Sequence, residues 1–461
     1  MAEVALDHPQ PRTVAVRRRN VARYATASVL AVVFAGNLAA IVWLWWHGGN
    51  VVGVRSSGEW LTSFARITGL LGAYSALLQV LLLARLPWLE RLIGFDRLNG
   101  LHRWNGHACL YLVLAHVVLS VWGYALMDRL SISKEISTML SGGIYPGMIT
   151  ATVGTALLIL VVVLSVVVVR RHLPYEAWYA VHLTAYAAIA LAWFHQIPTG
   201  NELVLDRAAA DYWRALYVAT LGALLVFRVL VPIANGFRYR LRVAEVVDEG
   251  RGVVSLRIAG RNLDRLGARP GQFFLWRFLG RGRWWASHPF SLSASPDRDS
   301  LRITVKSLGD FSQHLAEIRT GTRVLAEGPF GVFTADAQRR SGALLIAGGI
   351  GITPIRALME DVDAGTVVVY RVVCSDDIVL RAELDDIARE RGLTMHYVVG
   401  DHRTAEGRDH LSPAHLRQLV PDIAGRDVYV CGPPAMTDVL EAHVRAAGVP
   451  KRFIHAERFA L

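Results

Sequence analysis

The chain has 461 residues, of which 53% are hydrophobic and 19% charged, and a formal net charge of +11. That is too apolar for a water-soluble protein of this length. No basic helix has groove-reading character, so a nucleic-acid partner is not expected. Cys109, Cys374 and Cys431 form no C-x-x-C pair, which excludes a cysteine-ligated iron–sulfur cluster and a disulfide framework.

From the N-terminus, residues 1–20 read as a disordered cytoplasmic tail. Arg17, Arg18 and Arg19 then precede an apolar run too long for the core of a cleavable signal peptide, so this run is expected to be an uncleaved anchor. Six stretches meet the ~20 apolar residues that a membrane span requires: Tyr24–Trp46, Ser63–Leu83, Leu101–Leu126, Met148–Val169, Ala177–Phe194 and Tyr212–Ile233. Residues 21–235 therefore read as a six-helix transmembrane domain. With the N-terminus inside, eleven basic residues flank the spans on the cytoplasmic side: Arg12, Arg17, Arg18, Arg19, Arg23, Arg85, Arg91, Arg97, Arg103, Arg170 and Arg171. Four lie outside: Arg55, Arg129, Lys134 and Arg207. This asymmetry predicts an integral protein of the cell membrane with its N-terminus and everything after the sixth span in the cytoplasm.

Ionisable side chains inside spans are expensive and mark function. His102 and His116 are 14 residues apart, a rise of about 21 Å that returns to nearly the same helix face. His107 falls on roughly the opposite face from His116 and reads as a bystander. His182 and His195 are 13 residues apart, about 20 Å along a helix but roughly 140° apart in direction. The third and fifth spans both enter from the cytoplasmic side. His102 therefore shares a level with His182, and His116 with His195. Two imidazoles at each level suit haem iron, so two stacked bis-histidine haems are expected.

From Phe237 the pattern changes to short alternating runs broken by Gly, Asp and Pro, which predicts an antiparallel β-barrel over residues 237–337. Within it, His288-Pro289-Phe290-Ser291-Leu292-Ser293 offers an aromatic to stack on a flavin and hydroxyls to hydrogen-bond it. Ser307–Ser312 (SLGDFS, with Gly309, Phe311 and Ser312) is expected to open a helix whose amides suit a pyrophosphate. Residues 338–461 alternate strand and helix, as in a Rossmann-like α/β domain. There the Gly348-Gly349-Ile350-Gly351 turn runs into Thr353 and Pro354 at a helix start that favours phosphate. Arg371 is expected after the second strand, where a guanidinium would pair with an adenosine 2′-phosphate and favour NADPH over NADH.

Taken together, these motifs resemble the ferric reductase and NADPH oxidase superfamily from about residue 60 onward. LHRWNG…AH and YEAWYAVHLTAYAAIALAWFH are similar to its third and fifth helices, with His102, His116, His182 and His195 at the ligand positions. HPFSLSA resembles its flavin motif, and GGIGITP and CGPP (Cys431, Gly432, Pro433) its nicotinamide motifs. The resemblance implies two b-type haems, FAD, and NADPH or NADH, with Arg66 of FARITG near the outer haem. It also implies that Phe459 lies over the flavin and, with Cys431, takes part in catalysis. Ser120 replaces a further histidine found in the animal oxidases, and a calcium-binding extension is not expected. The function implied is electron transfer from cytoplasmic NAD(P)H, through FAD and two haems, to an outer acceptor. A ferric or other metal chelate is favoured over reduction of dioxygen to superoxide. A membrane cytochrome feeding a partner protein is the further alternative, although no partner protein is indicated.

Overall fold

The computed structural model describes residues 12–141, 145–166, 172, 175–280, 287–401, 403–404, 407 and 409–459, without the side chains of residues 12–24, 91, 96, 175–176 and 310–311. It divides into two compact units, Met1–Arg228 and Val229–Leu461.

The first unit is helical: α1 (Arg12–Trp45), α2 (Ser57–Leu82), α3 (Pro87–Ile93), α4 (Phe95–Met127), α5 (Ile132–Leu140), α6 (Met148–Ser165), α7 (Tyr175–Thr199), α8 (Asn201–Leu205) and α9 (Arg207–Leu225). Described helix thus begins at Arg12, within the stretch read as a tail, and residues 1–11 of that stretch lie outside the described residues. Among the described residues, six helical segments are long and apolar enough to cross a membrane: Ala25–Asn50, Ser57–Leu82, Arg97–Met127, Met148–Ser165, Ala177–Thr199 and Arg207–Tyr239. The expected end of the fourth span, at residues 167–169, lies outside the described residues.

Local chemistry sets several helix starts. Ser56 Oγ accepts from the Glu59 amide at 3.2 Å, and Glu59 Oε2 accepts from the Ser56 amide at 2.8 Å. This capping box begins α2. Asp206 Oδ1 accepts from the Ala208 amide at 2.8 Å and starts α9. Two packed helix pairs form, α2 along α4 and α6 along α7. A Cβ on Gly123 would stand 2.7 Å from Thr62 Cγ2, so the absence of a side chain there lets α2 and α4 approach closely.

The second unit opens with α10 (Val231–Tyr239) and, among the described residues, holds eleven strands: β1 (Arg242–Gly250), β2 (Val253–Ala259), β3 (Phe273–Phe278), β4 (His288–Ser291), β5 (Ser300–Lys306), β6 (Val324–Phe330), β7 (Ala343–Gly348), β8 (Val367–Val372), β9 (Thr394–Val399), β10 (Asp427–Gly432) and β11 (Ile454–Arg458). Strands β1 to β6 form two three-stranded antiparallel sheets, ordered β1-β2-β5 and β4-β3-β6. The isolated bridges Leu292–Ile303 and Arg242–Arg323 link the sheets. The expected antiparallel strands are present, and among the described residues they pair as two sheets joined by these bridges, without continuous pairing around a barrel. Alternation dictates which side chains face inward, and Leu256, Ile258, Phe274, Trp276, Leu292 and Ile303 do form one core. Alternation does not dictate that the edge strands pair continuously.

Strands β7 to β11 make one parallel sheet in the order β11-β10-β7-β8-β9. Both β7 and β10 are buried along their whole length, as expected of central strands covered on both faces. The short helix α11 (Asp310–Gln313) belongs to the antiparallel part. The helices α12 (Ile352–Met359), α13 (Arg381–Arg391), α14 (Pro413–Leu419) and α15 (Pro434–Ala446) accompany the parallel sheet.

Candidate functional site

In the helical unit, α4 carries His102 and His116, and α7 carries His182 and His195. The rings of His102 and His182 lie with centroids 6.0 Å apart and planes at 57°, and those of His116 and His195 at 6.2 Å and 31°. Each histidine of one helix thus faces one of the other at two levels. Two metal–nitrogen bonds of ~2 Å each, plus the inner half of both rings, come to roughly 6 Å.

The other ring nitrogens are held by the protein. His116 Nδ1 lies 2.7 Å from the Ala65 carbonyl and His102 Nδ1 lies 3.1 Å from the Gln79 carbonyl. A carbonyl only accepts, so both Nδ1 atoms carry the proton and both Nε2 atoms present a lone pair. Ser165 Oγ donates to the Val161 carbonyl at 2.6 Å and accepts from Trp178 Nε1 at 3.2 Å. With its proton committed, the hydroxyl accepts from His182 Nδ1 at 3.3 Å, which gives His182 the same tautomer. His195 Nδ1 is buried with no hydrogen-bond partner among the described residues. A Cβ on Gly69 would stand 2.7 Å from His116 Nδ1, so α2 leaves a seat for this ring. Ring spacing and the tautomers of His102, His116 and His182 fit a metal held between neutral imidazoles. His107 is exposed and turns back to the Arg103 carbonyl at 2.8 Å.

Several partners here escape sequence inspection. Asn105 Nδ2 donates to Gln79 Oε1 at 2.7 Å and to the Ser75 carbonyl at 2.9 Å, while Gln79 Nε2 donates to the His102 carbonyl at 2.7 Å. Arg66, one residue beyond Ala65, donates from Nη1 to Asn50 Oδ1 at 2.7 Å. The available signal was a polar residue interrupting an apolar run.

In the second unit, β4 pairs with β3 so that Phe290 lies opposite Phe274, and Trp276 Nε1 donates to the Phe290 carbonyl at 2.9 Å. His288 and Phe290 project from one face with rings stacked at 6.3 Å, both half-buried, and Pro289 between them is exposed. Ser291 and Leu292 are buried. Ser293 Oγ accepts from Thr304 Oγ1 at 2.8 Å and from Arg302 Nε at 3.1 Å, which makes it part of the core. The expected pyrophosphate turn opens only the four-residue α11. Ser312 Oγ accepts from the Leu308 amide at 2.9 Å and the Gly309 amide at 3.0 Å, so hydroxyl and amides satisfy one another. The Phe311 side chain lies outside the described residues.

The nicotinamide motifs converge at the ends of β7 and β10. A Cβ on Gly351 would stand 2.3 Å from the Cys431 carbonyl, and one on Gly348 would stand 2.2 Å from Met436 Cε. Only glycine permits this contact between the Gly348–Gly351 turn and the Cys431-Gly432-Pro433 turn; Gly349 has φ +53°. Thr353 Oγ1 donates to the Ile350 carbonyl at 3.1 Å, and Thr353 and Pro354 are buried. The Cys431 side chain is buried in the sheet core, and that burial pushes its thiol well above the usual range. The Phe459 amide donates to the Gly432 carbonyl at 3.1 Å, and its side chain packs against the cluster that holds Cys431 and Ile352.

Arg371 lies within β8 and not after it, a correction of one strand boundary. Its Nη2 donates to the Gly407 carbonyl at 2.7 Å. Burial lowers its pKa, with Asp401 acting in the opposite direction. The antiparallel and parallel parts of this unit are tied by Arg302 to Glu383 at 3.0 Å and by the Ser295 amide to Glu360 Oε2 at 3.1 Å, while Arg356 joins Glu383 to α12 within the parallel part.

Three family profiles match the chain: a ferric reductase like transmembrane component over residues 68–193, an FAD-binding domain over 238–334 and an oxidoreductase NAD-binding domain over 345–442. The ferredoxin reductase component of 3-ketosteroid-9-alpha-monooxygenase from Mycolicibacterium smegmatis is 32% identical over 48% of this chain and 65% of its own length. NADH-cytochrome b5 reductase 1 of Lodderomyces elongisporus is 32% identical over 35% of this chain and 58% of its own. The chain therefore spans less than two thirds of either relative. The FAD/NAD binding domain of nitric oxide dioxygenase from Vibrio cholerae is 22% identical over 48% of this chain and 98% of that chain, with a TM-score of 0.39.

Proposed function

The chain has the domain architecture of the ferric reductase and NADPH oxidase superfamily and is a membrane oxidoreductase; from this premise we propose that it carries electrons from NAD(P)H on the cytoplasmic side to an acceptor on the other. The carrying observation is the pair of facing histidines at each of two levels, 6.0 and 6.2 Å apart. His102 with His182, and His116 with His195, would hold two b-type haems through Nε2. His288 and Phe290 line the face that receives the flavin. The Gly348–Gly351 turn and the start of α12 receive the nucleotide phosphates, since the glycines let a ligand approach the backbone and the helix dipole favours an anion.

When bound, FAD splits a two-electron hydride into single electrons that haem iron accepts one at a time. The protein's own task is placement. It fixes the tautomers of His102, His116 and His182, and brings Cys431, Gly432 and Phe459 beside the glycine turn. Phe459 would cover a bound flavin and would give way to the nicotinamide. Arg371 keeps donors beyond the one given to Gly407, and these meet an adenosine 2′-phosphate. The eleven-to-four distribution of basic residues supports cytoplasmic placement of the N-terminus and the reductase half in the cell membrane.

The favoured acceptor is a ferric or other metal chelate, because Ser120 stands where the oxidases carry a further histidine. Proteoliposomes given NADPH on the reductase side test this. Reduction of an enclosed ferric chelate should exceed superoxide release. Dominant superoxide release would assign the chain to the oxidases, and no reduction of either acceptor would reject transmembrane transfer.

A further inference from the structure

The two histidine pairs have different electrostatic surroundings. The hydrogen-bonded groups next to His102 are neutral: Gln79, Asn105 and Ser75. The stretch of α2 whose Ala65 carbonyl accepts from His116 also carries a cation, Arg66, which is linked to a buried carboxylate. Arg66 Nη1 donates to Asn50 Oδ1 at 2.7 Å, and Asn50 Nδ2 donates to Glu202 Oε1 and, at 2.9 Å, to the Trp45 carbonyl. Asn50 is 1% exposed and Glu202 3%. The turn after α1 is shaped for this link. A Cβ on Gly48 would stand 2.6 Å from Glu202 Cγ, and Asn201 Nδ2 donates to the Gly48 carbonyl at 2.8 Å. Ser63 Oγ donates to the Asn50 carbonyl at 2.5 Å, which holds the same turn against α2.

Away from water these charges are only weakly screened, and a buried carboxylate persists only if its lone pairs are satisfied. Asn50 satisfies both sides at once, accepting from Arg66 and donating to Glu202. Its amide thereby fixes where the guanidinium stands. Arg66 follows directly on Ala65, the residue that accepts from His116 Nδ1 at 2.7 Å.

We propose that Glu202, acting through Asn50, is a positioning residue that holds Arg66 beside the His116–His195 pair and sets the electron affinity of that site alone. The proposal deepens the di-haem reading and rests on it. Glu202→Gln keeps a side-chain carbonyl to accept from Asn50 and removes the negative charge. The local potential becomes more positive, the ferrous state is favoured, and the midpoint potential of that haem rises.

The experiment is a spectroelectrochemical titration of the full-length protein in nanodiscs, resolved haem by haem, with the component missing from His116→Ala taken as the His116–His195 site. The expected result is two haems retained in Glu202→Gln, an upward shift of the His116–His195 component, an unmoved second component, and a return towards the wild-type value in Glu202→Asp. Two unmoved midpoints, or equal shifts in both, would overturn the proposal. Selective loss of the His116–His195 haem would also overturn it, by making Glu202 purely structural. If Glu202→Gln binds no haem at all, Asn50→Ser decides, since its side chain is too short to bridge; a shift confined to one site supports the proposal and no shift rejects it. A wild-type protein without haem would remove the premise, an outcome separate from these.

Discussion

In the helical unit, three of the four histidines proposed as ligands are aimed by groups on other helices. In the second unit, the groups expected to meet a nucleotide are turned onto one another. His102, His116 and His182 each give their Nδ1 proton to a fixed acceptor, so that Nε2 points away ready to bind. Ser312 instead accepts from the amides of Leu308 and Gly309, and Arg371 donates to Gly407. The difference matches the two kinds of ligand. A permanently held metal gains from a site whose orientation entropy is already spent. An exchanging nucleotide tolerates a site that must open each time. The comparison also separates Thr353 and Ser293, which the core uses, from Phe290 and His288, which stand on an accessible face.

The sharpest way to break this contrast is to remove ligands. His102→Ala or His182→Ala, and likewise His116→Ala or His195→Ala, should reduce haem from two per chain to one, measured as pyridine haemochrome. His107→Ala should leave both. Loss of haem in His107→Ala would mean that the pairing is wrong. The aiming groups come next. Ser165→Ala removes the hydroxyl that accepts from His182 Nδ1, so haem retention there should weaken by roughly 10–100-fold, the range for outer partners of a metal ligand. Unchanged competition by apomyoglobin would show that the tautomer is set elsewhere.

In the second unit the effects should be smaller. Phe290→Ala removes a stacking partner worth about 1 kcal/mol, which should weaken FAD roughly five- to tenfold. An unchanged dependence of NAD(P)H oxidation on added FAD would remove Phe290 from the site. Phe459→Ala should lower KM for the nucleotide several-fold and slow product release, because the nicotinamide loses its competitor. If stopped-flow flavin reduction and nucleotide affinity both stay at the wild-type level, Phe459 is packing. Arg371→Ala should cost the least, roughly a threefold fall in the ratio of kcat/KM for NADPH over NADH, because one donor is already committed to Gly407. An unaltered ratio would assign Arg371 to the Gly407 loop.

The spans were legible because apolar length is a local property: five of the six expected starts fall within the corresponding helical segments, the fourth and fifth at the first residue, and Tyr24 precedes its segment by one residue. The histidine levels were legible from topology, although the 13-residue separation of His182 and His195 argued against alignment on an ideal helix. The structure brings both pairs together with rings at different tilts, 57° and 31°, so side-chain orientation absorbs part of what helix phase does not supply. Gln79, Ser165, Asn50 and Glu202 were not legible, because each acts across helices and no spacing rule links position 50 to position 202. Sheet closure was likewise hidden, since alternation along β1 to β6 is the same in a closed barrel and in two bridged sheets. Cys431 was identifiable through its motif, but its complete burial depends on the neighbouring strands.

The central claim is that two facing histidine pairs each hold a haem. Its most direct test is the haem stoichiometry and spin state of the purified wild-type protein. Two b-type haems per chain, both low-spin with bis-imidazole spectra, are the expected result. A chain that binds no haem, or one whose haems are high-spin with an open axial position, would contradict it.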